Sequence, residues 1–157
     1  MEEKFDAKKI LNNSNFQGSR KLKVFDVVID AENEILGRVA ALTAKKALLG
    51  NWVAVVNCER ALVSGNRSNI VANYLQLRKR NNVRFPSSSE QIMKRTIRGM
   101  INYKSGRGEK AFDQIRCYNN VPVELQNEKR VKIGNKNTDL MKLEEVGRML
   151  KEGRTDG

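Results

Sequence analysis

The chain has 157 residues, of which 39% are hydrophobic and 31% are charged, and its formal net charge is +12 at pH 7. This length favours a single domain, and the hydrophobic share is sufficient for a core. The sequence contains no histidine, which is the usual general base and the commonest metal ligand, so the composition argues against catalytic residues and against a metal site.

The positive charge predicts a polyanionic partner, either nucleic acid or an anionic membrane. No apolar run approaches the ~18 residues of a membrane span, so we expect nucleic acid and no membrane. Residues 1–23 are polar and contain no apolar stretch typical of a secretory signal. We expect them to form an extension outside a single domain over 24–157. Cys58 and Cys117 form no CxxC pattern, which favours buried free thiols in a reducing cytoplasm.

The first elements in chain order form one unit. Residues 24–30 form a run rich in β-branched residues and residues 52–57 form a second, largely apolar run, which predicts two buried strands. Between them, residues 35–49 have the apolar spacing of a helix, and Gly50 follows as a helix-ending residue. A strand, a helix and a strand within this distance predict a βαβ unit with parallel strands and a right-handed crossover.

The later elements are shorter. We expect a short third strand, a helix, a second helix that starts with a capping box of Ser87 and Glu90, and a third helix before a last strand. A polar loop and a C-terminal helix complete the chain. The predicted ranges are 61–64, 69–81, 87–101, 111–115, 116–118, 126–137 and about 138–150.

Most of the excess charge lies in one segment, 67–110, which carries eleven basic and two acidic residues. This segment alone accounts for +9 of the net charge, so the charge is concentrated where an anion would bind. The alternative is a solvated basic surface with no partner. The basic residues are Arg67, Arg78, Lys79, Arg80, Arg84, Lys94, Arg95, Arg98, Lys104, Arg107 and Lys110.

Within this segment the helix at 87–101 is the strongest candidate for the binding surface. Lys94, Arg95 and Arg98 lie together away from its apolar side, and like charges at this spacing repel by ~0.2–0.5 kcal/mol per pair. A polyanion along the helix would reverse the sign of that repulsion. After the helix, Gly106 and Gly108 allow the backbone to approach a phosphate closely.

Three other positions have two interpretations each. Asp30, at the end of a strand, is a conceivable catalytic carboxylate, but no phosphate-binding glycine motif accompanies it, and capping of the next turn is favoured. Asn66 could cap a helix, present Arg67 to phosphate, or do both. Arg38 could bind phosphate or pair with Glu34, and we favour the pair.

Aromatic residues make up only 6% of the chain. Tyr103 and Tyr118 lie beside basic residues and could stack on bases, but two rings do not make a stacking platform. We therefore expect the protein to bind the backbone and shape of a folded RNA.

Three blocks of sequence resemble a known family: VVIDAENEILGRVAALTAKKALLG, VAVVNCERALVSGN and KRTIRGMINYKSGRGEKAFDQIRCYNNVP. In order and spacing they are similar to the universal large-subunit ribosomal protein thirteen family, in its archaeal and eukaryotic (thirteen-a) form. The resemblance spans 24–122. Eukaryotic members carry a long basic C-terminal tail, whereas this sequence ends at Gly157 without one and in this respect resembles archaeal members.

The resemblance implies a three-layer α/β/α fold around a small, mostly parallel four-stranded sheet. It also implies binding to large-subunit ribosomal RNA, with neighbouring large-subunit ribosomal proteins as further partners. Carried over position by position, it assigns RNA contact to Arg38, Asn66, Arg95, Arg98, Lys104, Arg107 and Lys110.

We therefore expect a structural constituent of the large ribosomal subunit that binds ribosomal RNA and supports subunit assembly in translation, located on cytoplasmic ribosomes. It would be no enzyme and would need no cofactor and no small-molecule substrate. The alternatives are a stand-alone RNA-binding translational regulator and an RNA-modifying enzyme.

Overall fold

The computed structural model describes residues 24–80, 85–134 and 140–152. Within them the strands are β1 Val27–Asp30, β2 Val53–Val56, β3 Leu62–Ser64, β4 Ile115–Cys117, β5 Arg130–Val131 and β6 Leu140–Lys142. The helices are α1 Leu36–Leu48, α2 Arg67–Arg80, α3 Ser89–Met100, α4 Gly106–Asp113 and α5 Leu143–Glu152. In this described part of the chain, every helix is too short or too polar to cross a membrane.

A four-stranded sheet in the order β4-β2-β1-β5 forms the centre of the protein. All of its strand pairs are parallel, with Val28 opposite Ala54 in the central pair. Helix α1 connects β1 to β2, so the predicted βαβ unit is confirmed. Gly50 ends α1 with a φ of +93°, a conformation that glycine adopts without strain.

The sheet is covered on both faces, in three layers. On one face Ile29 and Val55 pack in the main core, to which all five helices contribute. On the other face Val28 and Val56 pack beneath Leu125, which belongs to the short 3-10 helix Val123–Leu125. The predicted α/β class and three-layer arrangement are confirmed, although the second helical layer is thin.

One strand was missed by the prediction, and the predicted short third strand is confirmed but belongs to a second sheet. Residues 126–137 were expected to form a loop, but Arg130 and Val131 form β5 and pair with β1 at the sheet edge. A strand of two residues, one of them charged, has no alternation to reveal it. Conversely, the strand predicted at 61–64 lies outside the main sheet, because β3 pairs antiparallel with β6.

The C-terminal helix was expected at about 138–150, but α5 begins at Leu143 because residues 140–142 pair with β3. Helix α5 has four buried residues, and its Gly147 lies against the backbone carbonyl of Ser87. A larger residue would not fit there. Residues 1–23 lie outside the described part of the chain, so the predicted division at residue 23 remains a prediction.

The capping box predicted at the start of α3 does not form. The residue preceding the helix is Ser88, and its side chain makes no capping hydrogen bond. Instead, the backbone N–H of Glu90 donates to Oδ1 of Asn119, at 3.1 Å. Asn119 lies 29 residues further along the chain, so sequence spacing could not identify this cap.

The glycines after α3 also have a different role from the one predicted. Gly106 and Gly108 were expected in an open loop near phosphate, but both lie in the first turn of α4. Any side chain on Gly108 would collide with the backbone carbonyl of Asn102. Glycine is therefore required here for close packing between α4 and the preceding turn.

Candidate RNA interface

Helix α3 separates its apolar and cationic residues onto opposite sides. Ile92, Met93 and Ile97 are buried, and the helix packs mainly against α1. Four polar residues recur at the spacing i, i+3, i+4 and i+7, which places them on one helical face. They are Gln91, Lys94, Arg95 and Arg98.

Each cation on this face lies over an aromatic ring. Nζ of Lys94 is 5.0 Å from the ring centroid of Phe112, in α4. Cζ of Arg95 is 4.8 Å from that of Phe85, the residue before Pro86. Cζ of Arg98 is 5.1 Å from that of Tyr103, in the turn between α3 and α4.

These rings explain how three neighbouring cations can be tolerated. A cation over a ring contributes about 0.5–1 kcal/mol at an exposed site, which is enough to offset a like-charge repulsion of ~0.2–0.5 kcal/mol. Among the described residues, Lys94 and Arg98 meet a ring and no carboxylate. Their positive charge is therefore held in place without being neutralised.

The second part of the site surrounds α4. The Oγ of Ser105 accepts the backbone N–H of Gly108 and caps this helix, at 3.3 Å. Three cations around its first turns are exposed: Lys104, Arg107 and Lys110. We call these three and the α3 cations the α3/α4 cationic surface.

Arg107 fixes this surface to the end of α1. Its guanidinium donates to the backbone carbonyl of Leu48, the last residue of α1, at 3.0 Å. Lys45 and Lys46 lie in the last turn of the same helix. The contact of Arg107 with α1 brings these lysines to the border of the α3/α4 cationic surface, although they were not among the predicted site residues.

Two cations of α2 have partners in α5. Arg67 forms an ion pair with Glu145 of α5, with a distance of 3.1 Å between Nη1 and Oε2. Arg78 donates to the backbone carbonyl of Leu150, also in α5, at 3.4 Å. Lys79 and Arg80 are exposed at the end of α2, and Arg84 lies outside the described residues.

Arg38 and Asn66 lie apart from the α3/α4 cationic surface. Arg38 is exposed in the first turn of α1, ten residues or ~15 Å along the helix from the end that Arg107 contacts. The Oδ1 of Asn66 accepts the N–H of Ser68 at 2.9 Å, so Asn66 caps α2. RNA contact by these two residues remains a prediction.

The predicted pair between Arg38 and Glu34 was wrong. Glu34 is buried, and its Oε1 accepts the backbone N–H groups of Ile133 and Gly134, at 3.0 and 2.7 Å. The carboxylate therefore fixes the chain that follows β5. This partner lies 99 residues away, so the nearer candidate at i+4 was misleading.

Asp30 at the carboxyl end of β1 also has internal partners. Its Oδ1 accepts the N–H of Glu32 and the side-chain amide of Asn57, and its Oδ2 lies 3.4 Å from Nζ of Lys132. Burial raises the pKa of this carboxyl, but the hydrogen bonds from Asn57 and Glu32 and the charge of Lys132 outweigh burial and leave the pKa lowered. The predicted capping of the next turn is confirmed.

Both cysteines are free thiols, as predicted. Cys58 is buried and Cys117 is half-buried. The hydrogen bond with the Cys117 thiol and the burial raise the pKa of Cys58. Cys58 is therefore protonated at neutral pH and a poor nucleophile.

Comparison with known proteins agrees with the fold and the charge distribution. Residues 25–124 match the family model described as ribosomal protein L13. Relatives named large ribosomal subunit protein uL13 include one from Natronomonas pharaonis, 45% identical over 105 residues, which covers 63% of this chain and 71% of the relative. Another, from Methanocaldococcus jannaschii, is 34% identical over 131 residues, which covers 78% of this chain and 96% of the relative. With a fold, a basic surface and a family match that agree over the same residues, the chain belongs to the ribosomal protein L13 family.

Proposed function

We propose that this protein joins the large ribosomal subunit by binding ribosomal RNA through the α3/α4 cationic surface. The observation that carries the proposal is the row of three cations on α3, each held over a ring. Lys94 and Arg98 keep an uncompensated charge among the described residues. A phosphate backbone is the partner that supplies several negative charges at this spacing.

Membership of the ribosomal protein L13 family makes the chain a structural constituent of the large subunit and not an enzyme. Its partners are large-subunit ribosomal RNA and neighbouring ribosomal proteins, on cytoplasmic ribosomes. The residues that make these contacts are our proposal. We place Lys94, Arg95 and Arg98 at the centre of the RNA contact, with the cations around α4 beside them.

Binding through phosphates predicts a strong dependence on salt. Each neutralised phosphate releases condensed counterions, so the logarithm of the binding constant falls linearly with the logarithm of salt concentration. Six contacts, one for each cation of the α3/α4 cationic surface, give a slope of about −5. A slope near zero would contradict a backbone contact.

The decisive experiment reverses the charge of α3. The variant K94E/R95E/R98E should fold, because the three side chains lie outside the buried face, and it should fail to enter large subunits in a sucrose gradient. A matched control is K142E/R148E/K151E, which makes the same change in net charge at exposed positions of β6 and α5. The control should co-migrate with large subunits, as the wild type should.

Normal assembly of the α3 variant would overturn the proposal. A wild-type protein that binds RNA but stays at the top of the gradient would instead favour the stand-alone regulator.

A further inference from the structure

The cationic face of α3 contains a groove that phosphate binding alone does not explain. The groove has a volume of about 270 Å³. Four of its lining residues come from the polar face of α3, and two apolar residues complete it. The lining residues are Gln91, Lys94, Arg95, Arg98, Pro86 and Phe112.

A contact to the RNA backbone requires cations but no apolar floor. Here Phe112 and Pro86 are both half-buried, and they lie beside charged groups. An apolar surface bordered by cations suits a nucleobase, since a base stacks on aromatic rings and on guanidinium planes while its phosphate is neutralised nearby.

The size of the groove suits a ligand of one nucleotide. Its volume is just below the ~300 Å³ at which pockets for drug-sized ligands begin. A run of stacked bases would not fit, and a paired base keeps its faces inside the helix. The groove therefore suits one unpaired nucleotide whose base is not stacked between its neighbours in the RNA.

We propose that this groove binds a single unpaired nucleotide of the RNA, an inference that rests on the proposed function and deepens it. The base lies against Phe112 and Pro86. Its phosphate lies at Lys94 and Arg98. The exposed amide of Gln91, which both donates and accepts, meets the edge of the base and distinguishes one base from another.

The test compares two RNA duplexes that differ by one bulged nucleotide. Fluorescence anisotropy at one fixed salt concentration gives Kd for each. The wild type should bind the bulged duplex about tenfold more tightly, as expected for one stacked base. F112L should abolish this preference, because it should weaken binding of the bulged duplex more than binding of the paired duplex.

Two further variants separate a base contact from a packing effect. F25L removes a ring on the opposite face of the sheet, where Phe25 packs against Tyr118, and should keep the full preference. Q91A changes an exposed residue that cannot disturb the core. It should equalise the affinities for the four possible bulged bases.

The outcomes distinguish this inference from the proposed function. Equal wild-type affinity for both duplexes would overturn the nucleotide site and leave RNA binding intact. Equal weakening of both duplexes by F112L would also overturn it, because the ring would then act only by holding Lys94. If F112L does not fold, Q91A provides the test. A Q91A variant that still prefers the same bulged base as the wild type would overturn the nucleotide site. Binding to neither duplex at low salt would contradict the proposed function itself.

Discussion

Helix α2 carries four basic residues and helix α3 carries three, but the two helices use them differently. Arg67 and Arg78 of α2 contact Glu145 and the backbone of Leu150 in α5, so their charge stabilises the fold. Lys94 and Arg98 of α3 lie over aromatic rings and, among the described residues, meet no carboxylate. The difference teaches that a basic segment cannot be treated as one surface, because the neighbours of each cation decide its role.

The largest expected effect is on RNA affinity. R95Q/R98Q removes two charge-assisted contacts, each of ~1.5 kcal/mol or more, so affinity should fall on the order of 100-fold. The salt slope should become shallower by about 2. Filter binding at several salt concentrations measures both quantities. The matched double R67Q/R78Q in α2 should change neither, and an equal loss there would remove the distinction between the two helices.

The second effect concerns the packing of α5 rather than RNA. G147A places a methyl group against the backbone carbonyl of Ser87, and overpacking of this kind costs about 1–3 kcal/mol. Urea unfolding should report the loss. The half-buried Gly37, where a methyl group meets nothing within 4 Å, provides the control G37A. Equal stability of the two variants would show that α5 tolerates displacement.

The third effect is a dependence on pH. The pKa of Asp30 is lowered in the folded protein, so its carboxylate contributes stability above the unfolded pKa, and this contribution is lost as the pH falls through the folded pKa. D30N should be less stable than the wild type by ~1 kcal/mol at neutral pH. The difference should shrink as the solution is acidified below the unfolded pKa, close to 3.8. Thermal unfolding across this range measures it, and a constant difference would argue against a lowered pKa for Asp30.

The smallest effect is expected from the ion pair of α2 with α5. Both partners are substantially exposed, so E145Q should lower the free energy of unfolding by only ~0.5 kcal/mol, and salt should reduce the effect further. A double-mutant cycle with R67Q isolates the pair. A coupling energy of zero would show that this ion pair contributes nothing to the attachment of α5.

The central fold could be predicted because it rests on local patterns. The runs that form β1 and β2 are apolar except for Asp30 at the end of β1, and the spacing of α1 is that of a helix packed on one side. Strand β5 could not be predicted, since two residues carry no pattern. The true cap of α3 escaped prediction for another reason, because Asn119 is a distant neighbour.

The candidate site was also predictable only where the signal is local in sequence. The concentration of charge on α3 follows from composition, and the structure places Lys94, Arg95 and Arg98 on one face. Their rings were missed because Phe112 reaches Lys94 through the packing of two helices. The ion pair of Arg67 could not be predicted either, since Glu145 is 78 residues away in the chain.

The rings beneath the α3 cations also lower the entropy cost of binding RNA. A free lysine or arginine side chain loses about 1.5–2 kcal/mol of rotamer entropy when a partner immobilises it. Phe112, Phe85 and Tyr103 already restrict the side chains above them before RNA arrives. Much of this side-chain entropy is therefore lost when the protein folds, and less remains to be lost when RNA binds.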